Sequence, residues 1–268
     1  MNFVVALKAE ATPLVECFEL SKESVPSPFP VFANDRHRLV LSGVGKELSA
    51  KATSYLNERF PLPNQAWLNF GLAGHGALAS GTVFMANRIL DDGGENGFFP
   101  TQLLDHDLES SALRTSSSPV SDYPDSIGYD MEASAFCASA SLVSIRELIQ
   151  VVKVVSDNPD QPVGSFDRSS VGALIEGALS TILPLVDQLE ELAHKIKPAP
   201  GLAELVDSAL AHHPFSETQR HQVRKLLTHA QALGLPEKDA LKAIADAKSA
   251  KQAVSELRES MEQHRILS

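Results

Sequence analysis

The chain has 268 residues, 43% of them hydrophobic, enough for one sizeable α/β domain plus an appendage and too many for wholesale disorder. Its net charge is −11, and the surplus acid lies in residues 1–198, because residues 199–268 carry nine Lys/Arg against nine Asp/Glu. An acidic main domain is a poor partner for phosphate backbones, which argues against nonspecific nucleic-acid binding.

Residues 3–7 form a short apolar run that predicts a buried strand. The start lacks the basic, apolar and cleavage-site pattern of a secretory leader. A helix is expected over 10–20, with Leu14, Val15 and Phe18 turned inward, then strands at 31–32 and 38–41. Ser42-Gly43-Val44-Gly45-Lys46 breaks the pattern before a helix ending near residue 59. The strand at 66–70 is expected to end in a tight turn, Gly71-Leu72-Ala73-Gly74-His75-Gly76, made by small residues. A long strand follows at 82–90, then a loop-rich section over 91–125 with one strand near 113–116. A small-residue helix runs from Met131 to about residue 143, and a buried strand over 148–155 leads to Ser156-Asp157. Ser165-Phe166-Asp167 opens a long helix to about residue 197. Strands alternating with helices imply a central mixed sheet covered on both faces, with ligands collecting at the strand ends.

Pro198-Ala199-Pro200-Gly201 marks a boundary, since proline cannot continue a helix. The expected domains are 1–197 and an all-α extension, 198–268. Ser216-Glu217-Thr218-Gln219 has the form of a capping box. Cys17 and Cys137 both lie in apolar helical patterns and read as buried thiols, with no sign of a disulfide framework or a zinc site. No run of about 18 apolar residues suggests a membrane span, so a soluble cytoplasmic protein is expected.

Two carboxylates mark the chemistry. Glu132 and Asp157 each follow a predicted strand, 25 positions apart. One carboxylate can accept from neighbouring hydroxyls; the other can give or take a proton. Such a pair suits a sugar joined to a base better than a metal, because no ligand-spaced His or Cys accompanies it. Each acid also has a plainer explanation: Glu132 as a first-turn acid on a helix dipole, Asp157 as a turn or helix cap, Glu10 as a solvent-facing acid near a helix start.

Four ordered segments resemble the nucleoside phosphorylase superfamily, and most of all its methylthioadenosine/S-adenosylhomocysteine nucleosidases. They are Ala6-Leu7-Lys8-Ala9-Glu10, Ser42-Gly43-Val44-Gly45-Lys46, Asn69-Phe70-Gly71-Leu72-Ala73-Gly74, and Asp130-Met131-Glu132-Ala133 with Val155-Ser156-Asp157. The resemblance spans roughly residues 1–196. It implies a three-layer α/β/α fold that cleaves the N-glycosidic bond of a purine nucleoside. Asp157 would be the general acid that protonates the departing base, and Glu10 would hold and deprotonate a water. Glu132 would accept from the ribose hydroxyls, with Met131 under the sugar and Ser156, Gly43, Gly71, Leu72 and Ala73 lining the pocket. The resemblance implies no metal or organic cofactor. The expected partner is a small-molecule nucleoside, and subunit pairing near the site, common in that family, makes a homodimer an expectation.

Phosphorylases of the superfamily hold phosphate with arginines. Asn69 stands where one is expected, and residues 1–35 contain no Arg. Water is therefore favoured, with Arg36, Arg38 and Arg88 as substitutes should the enzyme be a phosphorylase. Leu72 replaces the usual Ser or Thr of the nucleosidases, and residues 115–119 lack the expected base-stacking aromatic, leaving Phe98, Phe99 or Tyr123 to supply a ring. A catalytically silent nucleoside-binding or scaffolding protein is the third reading.

Overall fold

The structure is a computed structural model that describes residues 1–62, 64–92, 94, 97–161, 168–196 and 201–267. The chain divides into two compact units, Met1–Ile196 and Lys197–Ser268.

The first unit contains, in order, β1 (Asn2–Val5), α1 (Lys8–Cys17), β2 (Ser21–Lys22), β3 (Val31–Ala33), β4 (Arg38–Leu41), α2 (Lys46–Arg59), β5 (Trp67–His75), β6 (Val83–Asp91), β7 (Glu109–Thr115), β8 (Gly128–Asp130), α3 (Ala133–Ala140), β9 (Ile149–Asp157) and α4 (Arg168–Lys195). The sheet is mixed. β4, β1, β5 and β9 run parallel, whereas β6 pairs antiparallel with β9 and β8 antiparallel with the end of β5. Because β5 pairs with both β8 and β9, the strands β5–β8–β7–β6–β9 close into a ring, from which β1, β4, β3 and β2 extend.

Strand residues alternate between two cores, as a period of two requires. Phe3, Val5, Leu68, Phe70, Val152 and Val154 pack with α1 and α4; Val4, Trp67, Ile149, Val151 and Val155 pack with α2 and α3. The result is three layers, α/β/α. Phe136 anchors α3 and is fully buried, so its truncation to Ala would cost about 3–5 kcal/mol. By length and composition, residues 170–195 could cross a membrane. Here Ile175, Ala178, Ile182, Val186 and Leu189 form the buried stripe of a helix lying on a sheet.

Two expectations are corrected. Gly71-Leu72-Ala73-Gly74 makes no turn: β5 runs straight through it to His75. The small residues there make room for side chains from other elements. Cys17 is exposed, because Leu14, Val15 and Phe18 turn their face of α1 to the core and leave Cys17 on the opposite one; Cys137 is buried. Residues 165–167 and 198–200, which carried the expected helix start and the domain boundary, lie outside the described residues.

The second unit is built from α5 (Leu202–Leu210), α6 (Glu217–Ala232), α7 (Glu237–Ala245) and α8 (Ala250–Leu267). The capping box at Ser216 forms: Gln219 N donates to Ser216 Oγ at 3.4 Å, and Ser216 N donates to Gln219 Oε1 at 2.9 Å. Gly234 ends α6 at φ 75°, a left-handed conformation that suits glycine. Leu205, Val223, Leu227, Ile244 and Leu257 meet in its own apolar core.

Candidate active site

Glu10 sits in the first turn of α1 with only 3% of its surface exposed, so it is not a solvent-facing acid. Its Oε2 accepts from Leu7 N at 2.8 Å, which caps the helix, and its Oε1 accepts from Leu72 N at 2.9 Å, which ties α1 to β5. A Cβ at Gly71 would stand 3.0 Å from Oε1, so glycine there is what admits the carboxylate. Burial raises the Glu10 carboxyl above its ordinary value, while the two N–H groups and the charge of Lys153 oppose the shift. Leu72 has no side-chain hydroxyl, and it is its backbone N–H that holds Glu10.

Glu132 precedes α3. Its Oε1 accepts from Gly45 N at 2.7 Å and its Oε2 from Met131 N at 3.3 Å. Gly45 can offer that N–H because φ 105° at the start of α2 is open to glycine. Burial raises the Glu132 carboxyl, Lys153 pulls it down and Asp130 adds to the rise. Lys153, in the middle of β9 and 2% exposed, lies opposite Gly71 in the sheet. Its Nζ reaches Asp130 Oδ2 at 2.9 Å. Burial disfavours the ammonium, yet Asp130, Glu132 and Glu10 outweigh that and hold it above the usual lysine value. Asp130 is held in turn by Thr115 Oγ1 at 2.7 Å and Ala133 N at 2.9 Å. One buried cation thus faces three buried carboxylates.

Asp157 ends β9, opposite Gly74 across a register shift, and is 8% exposed. Burial pushes its carboxyl up to about 6. Ser156 Oγ lies on its Oδ1 and the Tyr123 hydroxyl on its Oδ2. Hydroxyls can donate to the ionised acid or accept from the protonated one. Of the three aromatic candidates, Tyr123 is the one the fold brings to the acid. Phe98 packs beneath Arg146 and Phe99 beneath Arg88.

The other expected residues fall around this frame. Ala73 is buried, its carbonyl 3.3 Å from Ser156 Oγ, and Met131 is half-buried beside Glu132. Gly43, at φ 83°, binds Ala6 O through its N–H at the C-terminal end of β1. His75 accepts from Ala77 N and Leu78 N and meets Ser111 Oγ, a loop-holding role. Arg38 pairs in register with Asn2, at the start of β1, and Arg36 binds Glu190 there at 2.6 Å. Asn69 donates to Val4 O at 3.0 Å, within the sheet. A cavity of about 620 Å³ is lined by Lys46, Glu47, Asp91, Phe98, Ser134 and Ala135, and none of Glu10, Glu132 and Asp157 lines it. Among the described residues, no group of three or more His, Cys, Asp or Glu is placed to hold a metal ion.

Solved structures share this architecture. The 5′-methylthioadenosine/S-adenosylhomocysteine nucleosidase of Helicobacter pylori superposes with a TM-score of 0.57 at 14% identity, covering 70% of this chain and 97% of its own. A futalosine hydrolase of Helicobacter pylori gives 0.56 at 16% identity, over 70% and 98%. The nucleosidase of S. pneumoniae gives 0.54 at 19% identity, over 71% and 98%. The fold of residues 1–196 is the one that these nucleosidase and futalosine hydrolase structures share. No protein-family model and no curated protein sequence matches the chain.

Within this fold, two members of the charged cluster were not singled out from the sequence. Lys153 is a lone charge in the apolar run Ile149-Gln150-Val151-Val152-Lys153-Val154-Val155, and that isolation was the available signal. Asp130 was passed over beside Glu132, although β8 places the two carboxylates together at its end.

Proposed function

We propose that residues 1–196 form a nucleosidase that hydrolyses the N-glycosidic bond of a purine nucleoside to free base and sugar. The observation that carries this reading is the division of labour among buried carboxyls. Burial raises all three carboxyls; at Glu10 and Glu132 backbone N–H groups and the shared Lys153 ammonium oppose that rise, whereas at Asp157, raised to about 6, burial acts alone. Cleavage builds positive charge on the sugar and negative charge on the leaving base. Asp157 gives its proton to the base, and Glu10 takes one from the attacking water. Glu132 accepts from the ribose hydroxyls, with Met131 against the sugar. Ser156 orients the acid, and backbone at Gly43, Gly71, Leu72 and Ala73 lines the site.

Water is favoured over phosphate because Arg36 and Arg38 lie at the far end of β1 and Arg88 packs over Phe99. An anion would find no arginine fork among these three. The similar structures are named for methylthioadenosine, S-adenosylhomocysteine and futalosine, which supports a 5′-substituted purine nucleoside as substrate. A cytoplasmic homodimer that needs no cofactor belongs to the same proposal. One observation favours a catalytically silent nucleoside-binding protein instead: the Tyr123 hydroxyl already occupies the acid.

The test is release of free base from a nucleoside panel, with and without inorganic phosphate. Release without phosphate is expected. Strict phosphate dependence would make the enzyme a phosphorylase, and binding without release would make it silent.

A further inference from the structure

We propose that Tyr123 is a specificity-determining gate on Asp157: its phenol holds the acid's outer oxygen at rest, and a ligand reaches that oxygen only by displacing the ring. The inference rests on the nucleosidase reading and concerns what the site admits.

Four observations converge. Both oxygens of Asp157 are engaged, Oδ1 by Ser156 and Oδ2 by Tyr123, and the residue is 8% exposed, so a base gains room at an oxygen only where one partner leaves. Ser156 is the neighbouring residue on β9, fixed by the sheet. Tyr123 comes from the segment between β7 and β8, outside any helix or strand, and is therefore the partner that can leave. Tyr123 also adopts φ 40°, a region unfavourable to a residue with a ring, so its resting pose is held by what surrounds it. Its seat is Gly74: a Cβ there would lie 2.7 Å from the Tyr123 ring and hydroxyl and 2.8 Å from Asp157 Oδ2. With the gate shut, Tyr123 is 7% exposed and Asp157 8%, so the acid is screened from water.

A ligand that enters must replace the phenol's hydrogen bond with one of its own. That selects flat heterocycles carrying a nitrogen able to face a carboxyl, and it disfavours apolar rings. It also lowers apparent affinity by the fraction of molecules that are open.

The experiment is calorimetric binding of adenine, hypoxanthine and guanine to the full chain and to Tyr123→Phe and Tyr123→Ala. NMR of ring-labelled tyrosine accompanies it, because the chain has three tyrosines and Tyr123→Phe assigns one of them. Tyr123→Phe removes the competing hydroxyl and should bind the best base about fivefold more tightly than the natural chain. Saturating base should shift the Tyr123 resonances and leave those of Tyr55, which packs against Phe29, in place. Binding by Tyr123→Ala where the natural chain binds nothing also supports the gate. Equal or weaker binding by Tyr123→Phe, or an unmoved Tyr123 signal in a base-saturated sample, overturns it and leaves nucleoside turnover standing. Base binding that moves Tyr123 without any turnover keeps the gate and removes the hydrolase. No binding by any of the three proteins overturns both.

Discussion

The two units of this chain have different interiors. The first buries Glu10, Asp130, Glu132, Lys153 and Asp157 within or beside its sheet. The second, among its described residues, buries only apolar side chains: Leu, Val, Ala, Ile, Phe and Met. A charge taken out of water is costly unless it is paired and hydrogen-bonded, so a stable fold gains little from a buried ionic cluster. The helical unit follows that rule. The sheet unit departs from it where three strands and two helix starts meet, and again at the other end of β1, where Glu190 meets the Met1 ammonium and His37; the first cluster is the one proposed to serve chemistry.

Predictions follow from that contrast, the largest effect first. Asp157→Asn should lower the rate of base release about a thousandfold, since proton donation acts in the transition state. Nucleoside binding should stay within about tenfold, and stability to urea should not fall, because neutralising a buried acid removes a desolvation penalty. A large loss of stability would erase the distinction between chemical and structural burial. As the proposed general acid, Asp157 acts in its protonated form. Its carboxyl is raised to about 6, so kcat/KM should fall about tenfold per pH unit above that value. A rate that stays level to pH 8 would remove Asp157 as the acid.

Lys153→Met should cost about 3–5 kcal/mol in urea unfolding, because the carboxylates around it lose their counter-charge. Carboxyls left buried without a cation are raised in the folded state. The penalty is therefore present at pH 8 and should shrink as pH falls through their folded-state values. Leu227→Ala, in the helical unit, should cost about 3 kcal/mol at pH 5 and pH 8 alike, as a cavity does not titrate. Matching pH dependence in both variants would break the contrast between the two interiors. Smallest of all, Glu132→Gln should weaken riboside binding about tenfold and leave free-base binding nearly unchanged. Equal losses for both ligands would take Glu132 off the ribose.

Much of the fold was legible because strands and helices declared themselves locally. The capping box at Ser216, the break at Gly43–Gly45 and the apolar run before Asp157 each have a residue pattern with one physical cause. What was not legible is tertiary. Gly71 and Gly74 looked like a turn because glycine permits turns; only the neighbouring chains reveal that glycine there clears space for Glu10 and for Tyr123. Cys17 lies between two residues that pack inward, Val15 and Phe18, but on the other face of the helix. A solvent-facing acid was one of two readings of Glu10, and no local signal places Leu72 N, 62 positions away, within its reach. Lys153 was visible as a lone lysine among valines, but its meaning depends on β8 delivering Asp130 to it.

Among the described residues, the ring formed by β5, β8, β7, β6 and β9 leaves the sheet one free rim, β2, where the pairing order ends. That rim is two residues long, Ser21 and Lys22, both exposed and one of them charged. Another copy has almost no ladder of unpaired amides on which to grow, and the lysine repels its own image. A crowded solution of this molecule should therefore resist fibril growth by strand addition, whatever its apolar surfaces do.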